Sequence, residues 1–469
     1  MKPATADTEA GQSALAQRDL AQRALAQRDL AVVWHPCTQM HDHEFLPMVP
    51  IQRADGAWLT DLAGQRILDA VSSWWVTLFG HGHPRIRRAI HAQLDRLEQV
   101  MLAGFTHEPA VLLAESLLAV APPGLARVFY ADNGSSAVEV ALKMSFHAWR
   151  NAGQTAKQRF IALTGSYHGE TLGALAVTDV PLYRQTYDPL LRQPLWVPSP
   201  DAYQAAAGET ADDYAERCAD ALDAVLAEHG ASVAALILEP LVQGAAGMRM
   251  YSPRYLKRAR AACDRYQVHL IADEIMVGFG RTGTLFACEQ AAITADFLCL
   301  SKGITGGFLP LAAVLTTESV YQAFYAEYAT QRAFLHSHSY TGNPLACAAA
   351  CEVMAMFREE PWLQQNRHTA ALMSAALAPF RQHPQVGDVR QTGMIAAIEM
   401  VRDRASREPY DWRERRGLKV YQYALSQGVL LRPLGNVVYF LPPYCITADE
   451  IALLGKVALA AIDHAVREP

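Results

Sequence analysis

The sequence predicts an α/β protein whose mostly parallel sheet is covered by helices. Between about residues 110 and 315, helical stretches alternate with short apolar runs, a pattern typical of buried parallel strands. Strands are predicted near residues 127–130, 159–163, 234–238, 268–272, 297–300 and 311–315. A length of 469 residues with 51% hydrophobic residues allows one large and one smaller domain. Because ligands bind at the carboxyl ends of such strands, the residues that follow them are the first candidates for a site.

The two chain ends are predicted to form the smaller α+β domain together, as residues 31–71 and 346–469 around a large domain of residues 72–345. The supporting elements are strand-like segments at 48–69, 395–400 and 428–441 and a last helix from Ala448. Within the large domain, an apolar stripe predicts a helix from Pro84 to about Met101. No linker rich in proline, glycine or serine divides the chain, so both domains are predicted to pack over one cleft.

Residues 1–30 are predicted to be a leader outside the fold, either disordered or a frayed helix. Its leucines recur every five positions, at 15, 20, 25 and 30. Successive leucines would therefore be turned by about 140° on an α-helix, so that no single apolar stripe forms. A coiled-coil partner helix is the alternative, although the heptad pattern is missing.

Composition argues against several classes of partner. The net charge of −6 gives no electrostatic footprint for nucleic acid, and no apolar run reaches the eighteen residues of a membrane span. The N-terminus has no signal-type apolar core. The eight cysteines have no Cys-x-x-Cys or zinc-type spacing and are interpreted as buried thiols in a reducing cytoplasm. The sequence therefore predicts a cytoplasmic protein that acts on small molecules, without a metal.

An acidic and a basic residue follow two of the predicted strands. Asp273 ends the run 268–272, and Lys302 follows the run 297–300 and precedes glycines. A lysine in this position can be desolvated enough to lose its proton and form a Schiff base, and the carboxylate can keep a pyridine nitrogen protonated. The pair thus suggests pyridoxal 5'-phosphate. Taken alone, it is also compatible with a loop lysine and a helix N-cap.

Two further motifs supply what such a cofactor needs. Gly134 and Ser135 open a helix after a strand, where backbone N–H groups suit a phosphate ester. Tyr167 lies on a turn after the strand 159–163 and can stack on the cofactor ring. Plain N-capping and a half-buried core tyrosine are the alternatives for each motif alone. Together, the motifs predict Lys302, Asp273 and Tyr167 as catalytic residues.

With these motifs in order, the chain after residue 30 resembles the class III pyridoxal-phosphate aminotransferases. The shared motifs are Glu239-Pro240, Asp273-Glu274, 278–283 and 341–344. More specific motifs resemble the 7,8-diaminopelargonic acid synthases, the aminotransferases of biotin synthesis. These are 34–36, 72–75, 243–250, 286–289, 432–435 and 441–444.

The resemblance implies pyridoxal-phosphate transferase fold type I and a homodimer that completes the phosphate site across its two-fold axis. It also implies conversion of 8-amino-7-oxononanoate to 7,8-diaminononanoate with S-adenosylmethionine as amino donor, by a ping-pong route through pyridoxamine phosphate. Lysine as the donor, or an ω-amino-acid:pyruvate aminotransferase, are the alternatives. A binding protein that keeps the fold without catalysis is disfavoured by the intact Lys302.

By resemblance, Arg432 binds the carboxylate of 8-amino-7-oxononanoate and Trp74 lines the channel for its aliphatic chain. A structural arginine and a core tryptophan are the alternatives. Tyr439 is expected to shape the same end of the channel. Arg281 is expected either to pair with Asp or Glu or to meet a second substrate carboxylate.

Three segments depart from the family's usual pattern and put the amino donor in doubt. Cys37 replaces a substrate-contacting tyrosine, and Glu170 stands where aspartate is common. The triplet Ser337-His338-Ser339 replaces Gly-Pro-Thr. The resemblance implies that Ser339 and His338 lie at the cofactor phosphate, usually that of the neighbouring subunit, and that Ser337 and Cys37 contact substrate.

Overall fold

The computed structural model describes residues 6–467, with side-chain positions from residue 17 onward; the prediction for residues 1–5 lies outside this range. The strands are β1 (Ile51–Asp55), β2 (Trp58–Asp61), β3 (Arg66–Asp69), β4 (Leu125–Ala131), β5 (Arg159–Leu163), β6 (Leu195–Val197), β7 (Val233–Leu238), β8 (Val242–Gln243), β9 (Arg249–Met250), β10 (His269–Asp273), β11 (Phe297–Leu300), β12 (Ala312–Thr317), β13 (Val386–Thr392), β14 (Ile395–Asp403), β15 (Glu408–Pro409), β16 (Val429–Leu430) and β17 (Val437–Phe440). The α-helices are α1 (Ala6–Val32), α2 (Ser72–Trp75), α3 (Pro84–Leu94), α4 (Glu108–Val120), α5 (Gly134–Asn151), α6 (Leu172–Ala176), α7 (Pro181–Arg184), α8 (Ala211–His229), α9 (Pro253–Arg265), α10 (Glu318–Gln322), α11 (Pro344–Glu359), α12 (Trp362–Ala376), α13 (Arg416–Ser426) and α14 (Ala448–Arg467).

The central sheet has the strand order β4-β12-β11-β10-β7-β5-β6. Its strands are parallel except β12, which is antiparallel to both β11 and β4. The predicted α/β class and all six predicted strands are confirmed. The sequence prediction missed the edge strand β6, because its three residues are too few to show a pattern.

Both faces of the central sheet are covered. On β7, Ala235 and Ile237 pack with α5, while Leu236 and Leu238 face the opposite core beside α8 and α9. Since successive side chains of a strand point to opposite faces, a strand covered on both sides is apolar throughout. This explains the uninterrupted apolar runs in the sequence.

The chain ends meet beside this sheet. Strand β16 pairs in parallel with β3, with Val429 opposite Leu68, so that residues from both ends share the sheet β1-β2-β3-β16. A further sheet joins β13, β14, β15 and β17. The exact domain boundaries stay a prediction.

Two elements differ from expectation. Helix α3 ends at Leu94 rather than near Met101, and both side chains are more than half exposed, so the apolar stripe does not continue into the core. The leader forms the helix α1 and contacts the fold, although it was predicted to lie outside it. Gln22 Oε1 accepts a hydrogen bond of 3.0 Å from the Ala63 amide, and Ala26 is buried.

No helix in residues 6–467 is both long enough and apolar enough to cross a bilayer. All eight cysteines are unpaired thiols. Five are buried as predicted, Cys351 and Cys445 are half-buried, and Cys37 is exposed, which differs from the prediction.

Candidate active site

The sheet brings the predicted lysine and aspartate to one edge. Strands β10 and β11 pair in parallel, with Asp273 opposite Cys299. Asp273 is the last residue of β10, and Lys302 begins a 3-10 turn two residues after β11 ends. Both side chains therefore start at the carboxyl edge of the sheet, where ligands of such folds bind.

Asp273 is held in place by two hydrogen bonds. Its Oδ2 accepts a bond of 2.7 Å from His168 Nδ1, and its Oδ1 accepts a bond of 3.1 Å from the Ile275 amide. Asp273 and His168 are both almost fully buried. His168 was not among the predicted site residues, although it lies next to Tyr167 in the predicted turn. Its ring fixes the direction in which the Asp273 carboxylate points.

Lys302 lies in a strained and water-poor position. Its φ of 48° is in the left-handed region, which costs about 1–3 kcal/mol for a non-glycine residue. Its Nζ lies 4.7 Å from the centre of the Trp75 ring. Burial lowers the pKa of the Lys302 ammonium, while the carboxylates of Asp273 and Glu239 oppose this shift. This lysine therefore gives up its proton more readily than an exposed one.

Glu239 is a second site residue that the sequence prediction did not include, although its motif was noted. It follows β7 and is 5% exposed. Its two carboxylate oxygens accept hydrogen bonds of 3.0 Å from the Tyr167 amide and 2.9 Å from the Gly244 amide. Burial raises the pKa of Glu239 to about 7. Glu239 thus fixes the Tyr167 turn against the end of β7.

The start of α5 forms a cradle beside this turn. Asn133 caps the helix by accepting a hydrogen bond of 3.0 Å from the Ser136 amide. The Gly134 and Ser135 N–H groups stand at the start of the helix, where no earlier carbonyl of the helix can accept a hydrogen bond from them. A Cβ at Gly169, whose φ is 124°, would collide with Ser135 Oγ. A Cβ at Gly134 would lie 3.0 Å from Ile275 Cγ2, next to Asp273. The two glycines therefore allow the start of α5 to pack closely against both the Tyr167 turn and the Asp273 turn.

Tyr167 is half-buried at the cradle. Its hydroxyl donates a hydrogen bond of 2.8 Å to Glu170 Oε1, and its ring centre lies 5.4 Å from that of Tyr183 in an edge-on contact. Burial and the Glu170 carboxylate raise the pKa of Tyr167 well above its ordinary value, so the hydroxyl stays protonated.

The doubled tryptophan lies on a buckled turn. Ser72, Ser73 and Trp75 have φ values of 52°, 58° and 66°, and Asp69 stabilises this backbone by accepting hydrogen bonds of 3.1 Å from the Val71 amide and 2.7 Å from the Ser73 amide. Trp75 is therefore directed into the site, whereas Trp74 is 45% exposed.

Tyr439 lies behind Trp75 rather than in the open channel. Trp75 Nε1 donates a hydrogen bond of 2.9 Å to the Tyr439 hydroxyl. Tyr439 is buried, which raises its pKa to about 12. It therefore shapes the site by fixing the indole of Trp75.

Cys37, Trp74 and Arg432 form what we call the channel mouth. The Arg432 guanidinium carbon lies 5.3 Å from the Trp74 ring centre, and Arg432 Nη2 donates a hydrogen bond of 3.2 Å to the Cys37 carbonyl. Arg432 is exposed and has no ion pair among the residues whose side chains are described. A positive charge without a carboxylate of its own is thus available to a ligand.

Arg281 does not lie where a substrate carboxylate could reach it. It is 1% exposed, and its Nη1 and Nη2 donate hydrogen bonds of 2.8 Å to the Pro442 carbonyl and 3.1 Å to the Thr77 carbonyl. Burial lowers the pKa of this guanidinium. The prediction of a second carboxylate partner, from substrate or from Asp or Glu, is wrong. The Arg281 guanidinium instead joins two backbone segments through their carbonyls.

The triplet Ser337-His338-Ser339 lies apart from this cluster. Ser337 and Ser339 are exposed, the His338 amide donates a hydrogen bond of 3.0 Å to Thr341 Oγ1, and Gln99 Nε2 donates one of 3.0 Å to the Ser339 carbonyl. The described side chains show no hydrogen bond between the triplet and Lys302, Asp273 or Tyr167. The predicted contact of the triplet with a cofactor phosphate stays a prediction.

Comparisons with known proteins identify the family. A profile of the aminotransferase class-III family matches residues 39–462. The adenosylmethionine-8-amino-7-oxononanoate aminotransferase of Geobacter sulfurreducens is 46% identical over 423 residues, which are 90% of this chain and 93% of that protein. The protein of the same name from Helicobacter pylori is 45% identical over 424 residues, 89% of this chain and 93% of that protein.

Solved structures show the same likeness. The adenosylmethionine-8-amino-7-oxononanoate aminotransferase of Methanocaldococcus jannaschii has a TM-score of 0.89 at 35% identity, covering 94% of this chain and 99% of that chain. An omega transaminase of Pseudomonas jessenii in complex with PMP has a TM-score of 0.90 at 30% identity, covering 94% of this chain and 98% of that chain. The chain belongs to the class III aminotransferases.

Proposed function

We propose that this chain converts 8-amino-7-oxononanoate to 7,8-diaminononanoate in biotin synthesis, with S-adenosylmethionine as the amino donor. The observation that carries this proposal is the channel mouth, where an arginine that has no carboxylate partner among the described side chains lies over Trp74. The next residue, Trp75, lies over Lys302. Relatives named for this aminotransferase at 40–46% identity support it. The rival ω-amino-acid:pyruvate activity has the support of fold similarity at about 30% identity.

Pyridoxal 5'-phosphate fits the residues present. The Gly134 and Ser135 N–H groups would hold its phosphate, Asp273 its ring nitrogen, Tyr167 one face of the ring and Lys302 its aldehyde. A Cβ at Gly134 would crowd Ile275 beside Asp273, and one at Gly169 would collide with Ser135, so both glycines are needed for the close packing that brings the start of α5 near the buried Asp273 carboxylate. When bound, the cofactor supplies an electron sink for the carbon that loses its proton.

Residues of this chain would carry out the proton transfers. Lys302 Nζ, with its lowered pKa, would act as the base that removes the proton from the amine-bearing carbon of the donor. In the second half-reaction it would act as the acid that supplies a proton to the acceptor carbon that receives the amine. Asp273 provides its carboxylate at the sheet edge, and His168 keeps this carboxylate in position. Trp75 covers Lys302 and limits the access of water.

The channel mouth positions the acceptor. Arg432 binds its carboxylate and Trp74 packs against its aliphatic chain, which leaves the ketone end towards Lys302. The donor uses the same channel in the other half-reaction. The exposed triplet 337–339 is proposed to reach the phosphate of the neighbouring subunit in a cytoplasmic homodimer.

The donor can be identified in a single half-reaction. We expect S-adenosylmethionine alone to convert the enzyme rapidly to the pyridoxamine form, because the side chains of the channel mouth are exposed and so accessible to a bulky amine. Stopped-flow absorbance with each donor in the absence of acceptor measures this conversion. Rapid conversion by lysine and none by S-adenosylmethionine would replace the proposed donor with lysine.

Arg432→Ala is expected to weaken use of the acceptor by about 1.5–3 kcal/mol, which corresponds to a roughly 10- to 150-fold lower kcat/KM. The variant loses the charge-assisted hydrogen bonds to the acceptor carboxylate. Steady-state kinetics of the variant checks this, and the methyl ester of the acceptor should lower wild-type kcat/KM in the same way. Equal efficiency of acid and ester with the wild-type enzyme would rule out the role of Arg432.

A further inference from the structure

The leader helix α1 lies ahead of the part of the chain that matches the family. The family profile begins at residue 39, and α1 spans Ala6–Val32. The helix nevertheless packs on the sheet β1-β2-β3-β16, and Cys37 of the channel mouth follows its last residue by five positions. The contacts of α1 are therefore a feature of this chain that the family match does not account for.

One face of α1 packs on the turn between β2 and β3. Gln22 Oε1 accepts a hydrogen bond of 3.0 Å from the Ala63 amide, and Ala26, one helical turn later, is 7% exposed. One turn earlier, Arg18 Nη1 lies 3.4 Å from the position that a Cβ on Gly64 would take. Because residues four apart lie on the same side of an α-helix, Arg18, Gln22 and Ala26 form what we call the docking face.

The repeated leucines do not form this contact. Leu20 and Leu25 are 72% and 40% exposed. A docking face made of one alanine and two polar side chains buries little apolar area, so it holds the helix less firmly than an apolar stripe would. The helix can therefore detach locally while the rest of the fold stays intact.

The end of α1 is tied to the channel mouth. The Val33 amide donates a hydrogen bond of 2.8 Å to the Asp29 carbonyl, and His35 Nε2 donates one of 2.6 Å to Asp29 Oδ2. Two residues later, the Cys37 carbonyl accepts the hydrogen bond from Arg432. The five residues after the helix can span at most about 17 Å even when fully extended, so a large displacement of α1 would move them.

The docking turn and Arg432 belong to the same sheet. Strand β3 follows the docking turn and pairs with β16, with Asp69 opposite Leu430. Arg432 comes two residues after β16 ends. The same sheet therefore fixes Arg432 directly and fixes Cys37 through α1, so the docking of the helix determines how these two residues meet.

We propose that α1 acts as a strap that docks on the β2–β3 turn, holds residues 33–38 across the channel mouth and thereby strengthens substrate binding. Gln22 and Ala26 are then positioning residues, since they act through Cys37 and Arg432. A mouth that is already ordered in the free enzyme lowers the entropy cost of binding. The identity of the substrates rests on the proposed function, whereas the docking of the strap does not.

The strap is expected to affect KM rather than kcat. Lys302 and Asp273 stand at the edge of the central sheet, whereas α1 packs on the sheet β1-β2-β3-β16. Releasing the strap therefore leaves the groups that transfer the proton in place. A change confined to KM separates this role from a general loss of structure.

The first experiment measures docking by hydrogen–deuterium exchange of residues 18–32 in the full-length holoenzyme. Ala26→Glu places a charge on the docking face and should speed exchange by about tenfold, because a helix without its packing surface opens readily. The matched control, Ala24→Glu, makes the same substitution at an exposed position of α1 and should exchange at the wild-type rate. Equal exchange in the two variants would show that the docking face does not hold the helix.

The second experiment measures steady-state kinetics of the same variants. Ala26→Glu should raise KM for donor and acceptor by about fivefold with kcat within about twofold of wild type, and Ala24→Glu should match wild type. Gln22→Ala, which removes only the hydrogen bond to the Ala63 amide, should fall between them. Faster exchange with unchanged KM would overturn the strap, and so would a fall in kcat together with loss of bound cofactor.

Failure of the proposed reaction can be told apart from failure of the strap. The exchange experiment uses no substrate. If the enzyme aminates pyruvate with an ω-amino acid instead, the KM ratio between Ala26→Glu and Ala24→Glu is measured with those substrates. A ratio of about five would then support the strap while the proposed acceptor is rejected, and a ratio near one would overturn the strap with either substrate.

Discussion

Lys302→Ala is expected to lower turnover by about 10⁴-fold or more, because the variant lacks both the nucleophile and the base that moves the proton. Cofactor should still bind, since the cradle at Gly134 and Ser135 does not depend on the lysine. Product formation and the amount of cofactor kept after dialysis are the two measurements.

The matched control for this variant is Lys257→Ala, which removes an exposed lysine from α9 and should keep wild-type turnover. An added small amine should restore part of the activity of Lys302→Ala, because it can substitute for the missing base. Wild-type turnover without any added amine would show that Lys302 has another role.

Asp273→Asn is expected to slow the single-turnover rate by about 10²–10³-fold. The amide keeps the size of the side chain but carries no charge, so it cannot stabilise a proton on the ring nitrogen of the cofactor. Stopped-flow measurement of the half-reaction with a saturating donor separates this effect from substrate binding. Asp264→Asn, an exposed change on α9, is the control, and a loss of less than tenfold in Asp273→Asn would count against the assigned role.

The central sheet could be predicted because its strands are covered on both faces and so leave continuous apolar runs. The same reasoning located Asp273 and Lys302, since a polar residue directly after such a run lies at the ligand-binding edge. Tyr167 followed from the same rule for β5. These predictions needed only local sequence and the geometry of parallel sheets.

Other features depend on contacts between distant residues. His168 meets Asp273 across 105 positions, and Glu239 meets the Tyr167 amide across 72 positions, so neither role shows in a local pattern. Arg281 joins carbonyls that are 161 and 204 positions away, which decides that it is structural. The leader has no apolar stripe from which α1 could have been predicted. The helix forms without one because alanine, leucine, glutamine and arginine have a strong helix propensity.

The contact between Cys37 and Glu170 combines a feature that the sequence shows with one that only the fold shows. The sequence identified each residue as a departure from the family pattern, yet only the fold brings the Cys37 thiol and the Tyr167 hydroxyl to the same Glu170 oxygen.

The most direct test of the proposed reaction is product analysis with the purified full-length chain. The protein is incubated with pyridoxal 5'-phosphate, S-adenosylmethionine and 8-amino-7-oxononanoate, and 7,8-diaminononanoate is quantified by mass spectrometry. We expect the product to form only when donor and acceptor are both present, and we expect Lys302→Ala to abolish it. Failure to aminate 8-amino-7-oxononanoate with any donor, together with rapid amination of pyruvate by an ω-amino acid, would contradict it.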